Sequence, residues 1–133
     1  MRAWTGCAVL VLALSVPAMA ASLTATVKSG VKTKVTQHAA FDKSCNPQHV
    51  VVEITTEPAN GTVTGTEETL AMPGKTKLGG VQPCAGKTGP NAVLYYESKP
   101  GFKGQDTFKY RRTNEDDPKD RLNGEMVMTV TVK

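Results

Sequence analysis

Glu125-Met126-Val127-Met128-Thr129-Val130-Thr131-Val132-Lys133 decides the fold class of this chain. Met126, Met128, Val130 and Val132 fall on one side of an extended backbone, and Val127, Thr129 and Thr131 on the other. A period of two with this many β-branched residues predicts a strand with one face in a core. Upstream, residues 113–124 are polar and read as a loop, and residues 107–112 resume the alternation with Phe108 and Tyr110 inward. Pro100-Gly101-Phe102-Lys103-Gly104 reads as a turn, and residues 92–97 as another strand.

The same pattern continues toward the N-terminus. Val50, Val52 and Ile54 oppose Val51, Glu53 and Thr55; Pro58-Ala59-Asn60-Gly61 then turns the chain and residues 61–64 begin the return. Leu23, Ala25 and Val27 alternate with polar residues, as do Val31, Thr33 and Val35. Residues 67–91 carry Gly74, Gly79, Gly80, Gly86 and Gly89 with Pro73, Pro83 and Pro90, and read mostly as loop with short strand pieces. About seven strands without helices between them predict an all-β, antiparallel β-sandwich, with a small barrel as the alternative.

The chain has 133 residues, 39% hydrophobic and 5% aromatic, which fits one domain of modest core. Residues 1–20 read as a secretory leader: Arg2 supplies the positive start, residues 7–16 the apolar run, and Pro17-Ala18-Met19-Ala20 the small-residue cleavage site. That run is too short to span a bilayer, and its cysteine, Cys7, lies at its start, not after it, so lipidation is disfavoured. The domain is then 21–133, exported to the periplasm or beyond, with Cys45 and Cys84 as its two cysteines. In an oxidising compartment they are expected to form one disulfide, worth roughly 3 to 4 kcal/mol on the chain-entropy argument.

Two stretches carry a resemblance. Pro58-Ala59-Asn60-Gly61-Thr62-Val63-Thr64, followed by Pro100-Gly101-Phe102-Lys103-Gly104-Gln105-Asp106-Thr107-Phe108-Lys109-Tyr110, resembles the bacterial Ig-like and cadherin-like domain family. The resemblance implies an Ig-like sandwich in an exported protein, with Pro58, Asn60, Gly61, Gly101, Phe102, Gly104, Asp106, Phe108 and Tyr110 as its fold motif. Family members often stand in tandem adhesin arrays. This chain departs from them in holding one domain, a cysteine pair and a long middle segment.

Catalytic and ligand motifs are weak. Val81-Gln82-Pro83-Cys84-Ala85-Gly86-Lys87-Thr88 approximates a phosphate-binding loop but begins with Val, contains Pro83, and lacks the strand-then-helix context. Asn114, Asp116, Asp120 and Glu125 fall at calcium-loop positions, yet Pro118 and Lys119 occupy the positions where that loop must turn. Weak calcium binding through Asp116, Asp117 and Asp120 is the minor expectation there, against a solvated loop. His38 and His49 are the imidazoles available to a metal site or hydrolase, Ser29, Ser44 and Ser98 have no G-x-S-x-G context, and Met126 and Met128 read as core. Glu67-Glu68 and Asp116-Asp117 are adjacent pairs, which diverge in an extended chain.

The formal charge of +4, scarce aromatics and export argue against nucleic acid. Lys32 and Lys34 read as protection of a sheet edge. The expectation is therefore a non-enzymatic exported module, cofactor-free, monomeric or weakly oligomeric, binding a protein or glycan of the cell envelope. A ligand-free structural component and, last, a small metal-binding protein or hydrolase are the alternatives.

Overall fold

The computed structural model describes residues 20–74 and 83–133. The leader expected at 1–20 therefore lies, except for Ala20, outside the described residues, as do Lys75, Lys77 and the first two positions of the phosphate-loop candidate. Among the described residues nine strands follow one another: β1 (Ala21–Val27), β2 (Thr33–His38), β3 (Ala40–Phe41), β4 (Pro47–Gln48), β5 (Val50–Thr56), β6 (Gly61–Ala71), β7 (Thr88–Ser98), β8 (Gly104–Asn114) and β9 (Gly124–Val132). No helix occurs among the described residues.

Seven strands are long, and they form two sheets, ordered β1-β9-β8-β5 and β2-β7-β6. Lettered A to G in chain order, these are the G-F-C and B-E-D layers of an Ig-like sandwich, with strand A attached beside G. β3 and β4 make a two-residue ribbon within the β2–β5 connection. All long pairings are antiparallel except one: β1 runs parallel to β9, from Ala21 opposite Met126 to Val27 opposite Val132. The chain leaves β1 through a turn at Lys28 to Val31 and crosses to the other sheet, so β1 cannot form a hairpin with β2.

The inward side of β9 is as the alternation predicts: Met126, Met128, Val130 and Val132 are buried in one core cluster with Phe108 and Tyr110 of the neighbouring β8 and with Leu94 and Tyr96 of β7 in the other sheet. Two expectations need correction. Val31 lies before β2 and is 45% exposed, because β2 begins at Thr33 and its register shifts between Lys34 and Thr36. That bulge turns consecutive residues, Val35 and Thr36, toward the interior. The loop read over 67–91 is also too long: β6 extends to Ala71 and β7 starts at Thr88, in a ladder paired from Gly61–Ser98 to Ala71–Thr88. Thr, Glu and Gly residues in an edge strand carry little apolar signal, yet their backbone groups pair like any others.

Apart from Phe108 and Tyr110, which belong to the core, the motif residues assemble at one end of the sandwich. Asp106, at the start of β8, accepts hydrogen bonds from Ala59 N (3.2 Å), Asn60 N (3.1 Å), Thr107 N (3.0 Å) and Tyr96 Oη (2.7 Å). Burial first, and then this carboxylate, push the Tyr96 phenol pKa up. One carboxylate thus fastens the Pro58–Gly61 turn of one edge to the adjoining strand of the core. Gly61 is required there, since a Cβ would stand 2.6 Å from Glu97 O and 2.8 Å from the Tyr96 ring. Gly101 holds φ +82° in the turn before β8.

Candidate functional site

At the opposite end three connections come together: β2–β5 (residues 39–49), the described parts of β6–β7 (72–74 and 83–87), and β8–β9 (115–123). They surround a cleft of about 780 Å³ that enters between the two sheets. Its inner wall includes Leu23 of β1, Val35 and His38 of β2, Asn91 of β7 and Arg112 of β8. A cleft of this size suits a small-molecule ligand or one segment of a larger partner.

Each connection is fixed by its own chemistry. In the first, Asp42 Oδ1 accepts from Ser44 N (2.8 Å) and Asn46 N (2.9 Å), and Oδ2 from Asn46 Nδ2 (3.1 Å). These bonds, led by that from the Asn46 amide, hold the Asp42 carboxyl below its ordinary pKa. The turn places Cys45 at φ 59°, from which it bridges to Cys84 in the second connection. The expected disulfide is therefore present, and it joins two loops and not the two sheets. Its Cα atoms are 5.4 Å apart. Met72 N donates to Lys87 O and Gly86 N to Met72 O, closing the base of the second connection.

The third connection is anchored by Arg112, which is 1% exposed. Its Nη1 donates to Asp120 Oδ2 (3.1 Å) and Asn123 Oδ1 (3.3 Å), and its Nη2 to Ala39 O (3.4 Å), so one guanidinium ties the third connection to the first. Its Nε has no hydrogen-bond partner among the described residues. Burial acts to raise the Asp120 pKa, but the Leu122 amide, Asn114 Nδ2 and Arg112 outweigh it and hold the carboxyl low. Asn114 Nδ2 also donates to Gln48 Oε1 (2.9 Å), a second bond between the same connections.

His38 lies inside, with Nε2 2.7 Å from Tyr110 Oη. Burial, and secondarily the Arg112 charge, lower its pKa to about 4, so it is neutral at physiological pH. Burial likewise pushes the Tyr110 phenol pKa up. His49 lies at the surface with other partners: Nδ1 is 2.7 Å from Glu115 Oε2 and Nε2 is 2.8 Å from Glu67 Oε2. The bond to Glu115, then that to Glu67, raises its pKa. It clasps an edge of one sheet to the end of the other. The two histidines thus have separate partners, His38 inside with Tyr110 and His49 at the surface with Glu67 and Glu115. Ser98 Oγ is at the motif end, accepting from Gly30 N, and Ser44 serves the first connection through its backbone amide.

The calcium expectation also meets a different arrangement. Asp116 Oδ2 accepts from His49 N, Asp117 Oδ1 from Lys119 N, and both Asp120 oxygens are engaged by Leu122 N, Asn114 and Arg112. Among the described residues no group of three or more His, Cys, Asp or Glu side chains is placed to hold a metal ion.

The sequence reading missed Arg112 and His38 as interior residues. For Arg112 the signal existed: it shares the phase of Phe108 and Tyr110, so β8 carries it inward with them. His38 offered no such signal, because the β2 bulge resets the alternation before it. The fold-motif residues, in contrast, hold the end of the sandwich remote from the cleft or belong to the core. No helix among the described residues is long and apolar enough to cross a membrane. No protein-family description and no curated protein matches the chain.

Proposed function

We propose that this protein is an exported, non-catalytic binding domain of the bacterial envelope, which receives a protein or glycan partner at the loop end of its sandwich. The observation that carries the reading is the cross-linked set of three connections around a 780 Å³ cleft. Loops fixed on a rigid scaffold lose little conformational entropy on binding, and the corresponding end of variable Ig domains is where such sandwiches recognise ligands. The leader-like residues 1–20, the resemblance to bacterial Ig-like domains and a disulfide fit an oxidising compartment outside the cytoplasm.

The test is affinity capture from an envelope fraction with the oxidised protein, beside two variants. Leu122→Asp alters the cleft mouth and Lys103→Glu alters the exposed turn at the motif end. A partner held by the parent and by Lys103→Glu but lost with Leu122→Asp supports the reading. Capture of nothing, or capture insensitive to Leu122→Asp, overturns it in favour of a ligand-free structural component or another surface.

A further inference from the structure

The charge and apolarity of the cleft specify the chemistry of what enters it; this inference rests on the loop-end binding reading. Leu23, Val35 and Met72, each at most 8% exposed, contribute apolar wall. At the mouth stands Leu122, 37% exposed, one of two large hydrophobic side chains left so exposed among the described residues. Its neighbour Arg121 lines the same cleft, with Lys119 from the same connection and Lys43 from the one carrying Cys45.

The lining carries Lys34, Lys43, Arg112, Lys119 and Arg121 against Asp42, Asp117 and Asp120, a formal excess of positive charge. The cleft carboxylates are Asp42, Asp117 and Asp120, and each already accepts hydrogen bonds from backbone amides, Asn46 or Arg112. Ion pairs among the described residues involve His49 with Glu67 and Glu115, and Arg112 with Asp120. The Lys43, Lys119 and Arg121 side chains enter none of them. His38 adds no charge to the inner wall above about pH 4. An apolar strip on a mixed inner wall, beneath a net positive lining with three cations that enter no ion pair among the described residues, favours a molecule with the opposite arrangement.

We propose that the cleft binds an amphipathic anion: an apolar chain seated against Leu23, Val35 and Met72, with a carboxylate or phosphate head among Lys43, Lys119 and Arg121. Such a head group can belong to a free acid or to a membrane lipid, and the two sources are separable. Charge steers the ligand to the mouth and the apolar chain supplies the residence, so affinity falls both when the head is neutralised and when the cations are reversed.

The experiment is titration of the full folded chain with decanoate, decyl phosphate and 1-decanol, below their aggregation thresholds, followed by calorimetry. It is repeated with Lys43→Glu/Lys119→Glu/Arg121→Glu, whose three sites are exposed, and thermal unfolding verifies that this variant remains folded. The expected result is saturable binding of decanoate or decyl phosphate, about tenfold tighter than decanol and weakened about tenfold or more in the variant. Equal affinity for decanol and decanoate overturns the anion assignment while leaving a ligand cleft in place. No binding of any of the three overturns the inference outright; partner capture sensitive to Leu122→Asp then still upholds the loop-end reading. Sedimentation with vesicles of phosphatidylcholine containing phosphatidylglycerol distinguishes the source. Binding to vesicles, lost in the triple variant and competed by decanoate, assigns a lipid head group, whereas vesicle binding without any response to the free anions refutes seating in the cleft.

Discussion

Acidification from pH 7 to pH 4 removes about 3 kcal/mol of stability through a single side chain, His38. The imidazole is 7% exposed, bonded to Tyr110 and close enough to Arg112 to feel its charge, so protonating it inside the fold is costly. Its pKa is about 4 in the folded protein and 6.5 in the open chain. Between those values the unfolded state binds more protons, which draws the equilibrium toward unfolding as the pH falls. The contribution is complete above pH 6.5, about 2 kcal/mol has gone by pH 5, and about 3 kcal/mol by pH 4. The assay is urea unfolding at several pH values, comparing the parent with His38→Gln, which keeps a polar side chain without a titrating proton. The parent's advantage, or deficit, relative to the variant should shift by about 3 kcal/mol across this range, in the sense of the parent weakening in acid. Groups common to both proteins, including Asp42, His49 and Asp120, cancel in the difference. A difference that stays constant with pH would falsify the buried, neutral assignment.

Other perturbations give distinct signatures. Replacing Cys45 and Cys84 together with Ser releases a 39-residue separation and should cost about 4 kcal/mol in denaturant unfolding, with the largest gain in hydrogen exchange in the connections around the cleft. Asp106→Ala strands the Tyr96 hydroxyl and the Ala59 and Asn60 amides together, for a loss of about 3 kcal/mol, and Asp106→Asn should lose less; equal stability of Asp106→Ala and the parent contradicts the lock described for the motif end. His49 behaves oppositely to His38. Its raised pKa makes its contribution complete below pH 6.5 and lost as the pH rises through the folded value, so an NMR titration should place it above 6.5, with Glu115→Gln or Glu67→Gln moving it back down.

The fold was legible where the physics is local and repeats. Met126 to Val132 alternate without interruption, Phe108 and Tyr110 hold phase with Arg112, and turn residues separate the runs. It was illegible where backbone pairing outweighs side-chain pattern: Glu67 to Ala71 continue β6 because Ala92 to Thr88 lie opposite them, a relation between distant segments that no local run of residues contains. The site follows the same division. The Cys45–Cys84 pairing was readable from the leader-like start and from the number of cysteines after it, but the convergence of Asp42, Lys43, Lys119 and Leu122 on one cleft depends on connections separated along the chain. The apparent calcium spacing misled because the fold had other uses for those oxygens: Asp116 accepts from His49 N, and Asp120 holds Arg112.

The parallel pairing of β1 with β9 constrains the order in which this protein can be completed. Ala21 to Val27 find their hydrogen-bonding partner in Met126 to Val132, with every other described strand lying between them in sequence. β1 therefore stays without its ladder partner until β9 has been made, and this edge of the sheet closes only after the intervening strands exist. The edge made by β1 is thus the pairing with the longest stretch of chain to close, formed after the local ladders β6–β7 and β8–β9 can already stand.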